Sequence, residues 1–165
     1  MKRARQALVL VALAGCAPVA AHAAGGMLPG ARSGEPYTVD ADKLDYFENQ
    51  KKLVYSGSVI ATQGASKVRG ATMTVYLDKD GDANSQQNVR RVEMAGPVTV
   101  TQNGKIGTGD SGLYDRDEQK YYLIGRVTLS EGQNVTRGDR LIYDLRTNQA
   151  RVVGRVQSVF TPKSR

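Results

Sequence analysis

The side chains able to do chemistry are few in this 165-residue chain, and they are poorly placed for catalysis. The single cysteine and the single histidine, Cys16 and His22, both lie within the first 23 residues. That segment has the features of a removable export signal, so the rest of the chain has neither a thiol nor an imidazole. This excludes cysteine nucleophiles, serine–histidine triads, zinc sites built on Cys or His, and disulfide bonds.

Carboxylates remain as candidates for acid–base chemistry or metal binding. Asp42, Asp110 and Asp139 recur at one position of an internal repeat, and recurrence favours a structural role, such as a backbone hydrogen bond, over an active site. The run Asp78–Asn84 resembles a calcium loop, but its glycine is fourth rather than sixth and its twelfth residue is Val89 instead of Glu. We interpret this run as a solvated hairpin tip, and we predict no enzyme activity, no metal site and no cofactor.

The start of the chain predicts export from the cytoplasm. A basic stretch with Lys2, Arg3 and Arg5 precedes the apolar run Ala7–Ala14, which is too short to span a bilayer. Ala21-His22-Ala23 then forms an A-x-A cleavage site. The predicted organisation is a signal peptide over 1–23, a flexible lead-in over 24–36, a β-domain over 37–160 and a short tail over 161–165.

Cys16 leaves a second interpretation open. Leu13-Ala14-Gly15-Cys16 also fits a lipoprotein cleavage box, in which Cys16 is retained and lipidated. The formal net charge is +7, and removal of the signal's three basic residues leaves +4. Because this excess is modest and basic residues do not alternate with aromatic ones, the sequence predicts no nucleic-acid partner.

From Tyr37 onward the sequence is typical of an all-β protein, because short runs of Val, Ile, Leu, Thr and Tyr keep no helical period. One landmark is a glycine inside an apolar run, at Gly57, Gly96, Gly125 and Gly154. A second landmark opens another run, at Ala41, Gly70, Gly109 and Gly138. The spacing from first to second landmark is always 13 residues, and the reverse spacing is 16 three times and 26 once. This predicts four repeats of about 29 residues, with one ten-residue insertion around Gly81.

Side-chain alternation about these landmarks places one set of apolar residues on a common inward face. The in-strand glycine shares that parity, where it permits a bulge or a bend. The repeats therefore predict an elongated β-sandwich with open edges at Pro36–Asp40 and Val152–Phe160. If the layers part along one seam, the interior becomes a groove in which each buried CH₂ of an acyl chain contributes roughly 0.8 kcal/mol. An ordinary filled core is the alternative. The candidate lipid-binding residues are Leu44, Tyr46, Leu53, Tyr55, Val59, Met73, Val75, Val92, Met94, Val98, Val100, Tyr114, Tyr121, Leu123, Val127, Leu129, Leu141 and Tyr143.

Three segments carry a resemblance to a known family. The units ADKLDY…LVYSGSV, GDSGLY…YYLIGRVTLSEG and GDRLIY…ARVVGRVQ resemble the OstA-type repeat of the LptA family of periplasmic lipopolysaccharide-transport proteins. The resemblance runs from about Tyr37 to Ser158, and it rests on several diffuse copies of one pattern. It implies an elongated, V-shaped antiparallel β-jelly roll.

The resemblance also implies a function and partners. A periplasmic protein of this family carries lipopolysaccharide from the inner to the outer membrane, with the lipid A acyl chains in its apolar interior. It associates end to end with its own copies, and by edge-strand addition with similar β-domains of an inner-membrane partner (LptC) and an outer-membrane partner (LptD). LptC keeps a transmembrane anchor and LptD continues into a barrel, and neither feature is expected here. Two alternatives stay open: a β-repeat scaffold that binds no lipid, and a lipoprotein or LptC-like variant anchored through Cys16.

Overall fold

The structure, a computed structural model, describes residues 36–79 and 88–162. Their strands alternate apolar and polar side chains and are separated by tight turns at polar and glycine-containing sequences. The ten strands are β1 (Tyr37–Asp40), β2 (Lys43–Phe47), β3 (Lys52–Gln63), β4 (Ser66–Leu77), β5 (Val89–Gln102), β6 (Lys105–Asp115), β7 (Lys120–Glu131), β8 (Asn134–Asp144), β9 (Gln149–Val153) and β10 (Gln157–Val159). A short 3-10 helix at Glu48–Gln50 joins β2 to β3.

All ten strands belong to one antiparallel sheet, in the order β1-β3-β4-β5-β6-β7-β8-β10. β2 also pairs with β3, and β9 also pairs with β8. Each end of the sheet is therefore formed by two short strands that share one long neighbour. The all-β, antiparallel prediction is confirmed, and the segments predicted to be open edges lie at the two ends of the sheet.

The long strands bend at mid-length. The pairing of β3 with β4 shifts register between Ser56 and Val59, and the pairings of β5 and β7 with their neighbours shift at the equivalent places. Glycines with a left-handed backbone lie at these bends, namely Gly57, Gly96 and Gly125, and Gly154 has the same backbone conformation at the bend between β9 and β10. Left-handed φ values favour glycine because it has no Cβ. The predicted bend is therefore present at all of these glycines.

A neighbouring aspartate side chain explains why glycine is needed at three of the bends. A Cβ on Gly125 would lie 2.4 Å from Oδ2 of Asp110. In the same way, a Cβ on Gly57 would overlap the side chain of Asp42, and a Cβ on Gly154 would overlap that of Asp139. The prediction that this glycine faces the apolar interior is wrong, because an exposed carboxylate fills the space beside its α-carbon. The bulge turns the glycine away from the inward parity that simple alternation assigns to it.

The bends fold the sheet into two layers. The first layer contains β2, β9 and the halves of the long strands that pair with them in register, such as Lys120–Ile124 of β7. The second layer contains β1, β10 and the other halves, such as Val127–Glu131 of β7. Buried side chains from both layers form one apolar core, which is the physical reason for the fold.

Candidate ligand cavity between the layers

A cavity of about 120 Å³ lies between the two layers. A single water molecule needs roughly 10–15 Å³ measured in the same way, so the space is large for the interior of a small domain. In the first layer it is lined by β4, β5, β6 and β7, for example by Val75, Met94 and Tyr121. In the second layer it is lined by β1, β3, β4 and β5, for example by Val39 and Val100. The lining is almost entirely aliphatic and aromatic.

Half of the residues predicted to bind lipid line this cavity. They are Met73, Val75, Val92, Met94, Val98, Val100, Tyr114, Tyr121 and Leu123. Five more are buried in the interior outside it, namely Leu53, Val59, Val127, Leu141 and Tyr143. Tyr55 packs partly buried against the core, and Leu129 is half-buried. The inward parity read from the sequence thus identifies interior positions well.

Leu44 and Tyr46 differ from that prediction. They lie on the inward rows of β2, in register with Tyr55 and Leu53. Their exposed fractions are nevertheless 50% and 45%. The reason is that β2 is an edge strand, so no further strand covers these side chains on their other side.

Several lining residues lie outside the predicted set. Three of them, Tyr37, Val39 and Val68, line the cavity from the second layer. Alternation of apolar and polar residues in YTVD and SKVRG is the sequence signal that predicts their inward orientation. Gly112 lines it from the first layer. The other repeats have Leu44, Met73 and Leu141 at the position that corresponds to Gly112. A glycine where the other repeats have a large apolar residue is the sequence signal that could have identified this residue.

Two tyrosines form one wall of the cavity. The rings of Tyr114 and Tyr121 have centroids 4.7 Å apart and planes inclined by 30°. Burial raises the pKa of both phenols above its ordinary value of 10.0. Both are therefore neutral at physiological pH, and their hydroxyl groups can donate hydrogen bonds.

Polar side chains mark the boundary of the apolar interior at the turns of the second layer. Gln63, Ser66 and Gln102 are buried, and they lie side by side in the register of β3, β4 and β5. The next row toward the bends contains Ala61, Val68 and Val100. The interior of this layer is thus apolar near the bends and polar near the turns.

Arginines form ion pairs with two of the recurrent aspartates. Arg126 donates from Nη2 to Oδ1 of Asp110 at 2.6 Å, and Arg155 donates in the same way to Asp139 at 3.0 Å. The backbone N–H groups of Asp42 and Asp139 donate to the carbonyl groups of Gly57 and Gly154. The aspartates therefore bind the outside of the bends, as the predicted structural role requires.

This geometry predicts a pH dependence. The hydrogen bond from Arg126 lowers the pKa of Asp110 below its ordinary value of 3.8. A carboxylate whose pKa is depressed by folding stabilises the fold above its unfolded-state pKa, and that contribution is lost as the pH falls through its folded-state pKa. We expect wild-type stability to fall more steeply than that of Asp110→Asn between about pH 5 and about pH 2. Urea midpoints across this range measure the effect, and equal slopes would contradict it.

The calcium-loop hypothesis meets a competing interaction. Arg116 in the turn after β6 donates to both carboxylate oxygens of Asp78, at 2.6 and 2.9 Å. Residues 80–87 of the predicted hairpin tip lie outside the described residues, as do the predicted signal peptide and Cys16. Within residues 36–79 and 88–162, no group of three metal-ligating side chains comes together.

These features define a class of protein: an open antiparallel sheet, folded at its bends into two layers, with an apolar cavity inside and, at both ends, strands that pair on one side only. A family model described as "LptA/(LptD N-terminal domain) LPS transport protein" matches residues 38–149. The chain belongs to this family of lipopolysaccharide-transport proteins. Within the described part of the chain, no helix is long and apolar enough to cross a membrane.

Individual relatives are more distant. An uncharacterized protein of Rhizobium meliloti (strain 1021) is 29% identical over 91 residues, which are 54% of this chain and 49% of that protein. The lipopolysaccharide export system protein LptH of Pseudomonas aeruginosa is 42% identical over 48 residues, which are 29% of this chain and 27% of LptH. The chain thus matches about half or less of the length of these curated relatives.

The fold has a solved counterpart. The crystal structure of LptH, described as the LptA-homologous periplasmic component of the lipopolysaccharide transport device of Pseudomonas aeruginosa, superimposes with a TM-score of 0.65. The superposition covers 78% of this chain and 96% of the LptH chain, at 23% sequence identity. At that identity the likeness concerns the fold.

Proposed function

We propose that this protein is a periplasmic bridge that carries lipopolysaccharide from the inner to the outer membrane. The observation that carries the proposal is the apolar cavity between the layers, because its almost entirely aliphatic and aromatic lining suits acyl chains. Each CH₂ that leaves water for such a lining contributes roughly 0.8 kcal/mol. Membership of the transport family supports the same conclusion.

The proposed ligand contact is the lipid A acyl region against the lining of both layers. Val92 of β5 faces the cavity, whereas Thr74 of β4 lies on the opposite parity of the same layer. A photo-crosslinking amino acid at position 92 should therefore label lipopolysaccharide in cells, and the same group at position 74 should not. Labelling is read as a protein band that also reacts with an antibody against lipopolysaccharide.

The two positions make the outcome decisive. Equal labelling at positions 92 and 74 would mean nonspecific contact with lipid. Absence of labelling at position 92, together with concentration-dependent assembly of the protein, would instead favour the β-repeat scaffold. Mass spectrometry of the mature N-terminus distinguishes a free periplasmic form from one that is lipidated at Cys16.

The proposed partners bind at the ends of the sheet. β2 exposes Leu44, Tyr46 and Phe47 at one end, and Val156, Val159 and Phe160 are exposed at the other. Edge strands also leave backbone N–H and C=O groups unpaired, which a strand from another domain can satisfy. A second copy of this chain, or the similar β-domains of LptC-like and LptD-like proteins, would continue the sheet and the apolar interior together.

A charge on the edge should weaken this association. Leu44→Lys places an ammonium group on β2, and charged residues are a common means by which proteins block edge pairing. We expect its dissociation constant for self-association to rise by about tenfold or more, equivalent to about 1.4 kcal/mol. Sedimentation velocity over a dilution series measures the constant.

Ile106→Lys is the matched control. Ile106 has a similar exposed fraction, 43%, but it belongs to β6 in the middle of the sheet. Its association should stay within about twofold of the wild type, since surface substitutions away from an interface change little. If both lysine variants associate like the wild type, the N-terminal edge is not the site of self-association.

A further inference from the structure

β6 presents unusually little side-chain volume to the interior. Its inward positions are Gly107, Gly109 and Gly112, followed by Tyr114. The space beside the first two is already occupied: a Cβ on Gly107 would lie 3.0 Å from Cδ1 of Leu123, and one on Gly109 would lie 3.3 Å from a backbone carbonyl oxygen. Gly107 therefore allows the two layers to approach each other, and Gly109 allows the backbone of the neighbouring strand β7 to approach closely at the bend.

Gly112 is different. A Cβ there would lie 3.5 Å from Cβ of Met94 and 3.6 Å from Cγ1 of Val98, which are ordinary van der Waals distances. Its φ is outside the left-handed region. Neither backbone conformation nor crowding therefore requires glycine at this position. What the missing side chain does provide is space, because Gly112 lines the cavity.

The tyrosine pair lies next to this space. Tyr114 is two residues farther along β6, and its ring contacts that of Tyr121, which is only 4% exposed. On the other side of β7, Tyr121 pairs in register with Tyr143 of β8. Tyr143 is buried but does not line the cavity. The Tyr114–Tyr121 pair therefore lies between the cavity and the buried Tyr143 on the side of β8.

We propose that Gly112 and Tyr121 determine the length of acyl chain that the cavity accepts. The chain packs against the bare α-carbon of Gly112, and its methyl end stops at the Tyr114–Tyr121 pair. This inference rests on the proposed function, and it adds a chain-length selectivity that acyl burial alone does not specify. Side-chain volume added at position 112 should shift the preference to shorter acyl chains, and side-chain volume removed at position 121 should shift it to longer ones.

The test uses Gly112→Ala and Tyr121→Leu in the full mature chain. Saturated fatty acids of increasing length compete with a fluorescent hydrophobic dye, and the preferred chain length is the readout. Gly112→Ala should shift the preference to shorter chains, with affinity for the longest chains falling roughly fourfold for each CH₂ excluded. Tyr121→Leu should shift it to longer chains. Ser111→Thr is the control, because it adds one methyl group on the outward parity of the same strand.

Each outcome supports or overturns the inference. Gly112→Ala is expected to fold, because its Cβ meets only ordinary contacts, so this variant decides the question even if Tyr121→Leu does not fold. An unchanged chain-length profile in Gly112→Ala would overturn the inference while leaving acyl binding intact. A wild-type protein that binds neither fatty acids nor lipopolysaccharide would instead overturn the proposed function.

Discussion

Replacing Gly125 with alanine is expected to lower the free energy of unfolding by about 3 kcal/mol. Gly125 has a φ of +77°, and a Cβ there would lie 2.4 Å from Oδ2 of Asp110. The variant therefore has to adopt a strained backbone and also displace a carboxylate that is held by Arg126. Urea unfolding measures the loss, provided that the slope with denaturant stays unchanged.

Two further variants separate the causes of that loss. In Gly125→Ala combined with Asp110→Ala, the contact with the carboxylate disappears, whereas the 3.0 Å contact with the Cβ of residue 110 and the backbone strain remain, so part of the stability should return. Gly112→Ala should cost nothing or stabilise the protein slightly, because its φ is ordinary and glycine loses more entropy than alanine on folding. A wild-type midpoint for Gly125→Ala would show that the bend does not need glycine.

Truncation of Leu123 to alanine should also cost about 3 kcal/mol, within the range measured for buried leucines. Leu123 is 2% exposed, and its Cδ1 would lie 3.0 Å from a Cβ on Gly107 in the opposite layer. Its truncation enlarges the cavity between the layers, because Gly107 of β6 has no side chain that could fill the space. The loss is measured as a lower urea midpoint at unchanged slope.

Leu44→Ala is the matched control for this variant. Leu44 lies on the same inward row, but it is 50% exposed because β2 is an edge strand. Its truncation should change the free energy of unfolding by less than about 0.5 kcal/mol in the monomer. Similar losses for both leucines would indicate that the edge is covered in solution, and a dilution series would then show whether a second copy covers it.

The sequence by itself was sufficient to predict the strands, the bends and the inward face. These properties depend on residues close together in the chain: alternation decides which face a side chain lies on, and a glycine such as Gly125 permits the left-handed bend. The recurrence of Asp42, Asp110 and Asp139 likewise predicts a structural role, since a repeated position is inconsistent with a single active site. Their ion pairs with Arg126 and Arg155 are consistent with that interpretation.

Only the tertiary structure decided which inward residues are buried and where space remains. Leu44 and Leu123 share one parity, but Leu123 has neighbours on both sides of β7 whereas Leu44 lies at the end of the sheet. The cavity likewise depends on the combined volume of side chains from strands that are far apart in the sequence. Gly112 is an example. The space beside it is bounded by Met94 and Val98 of β5, and alternation along one strand does not define where these neighbours lie.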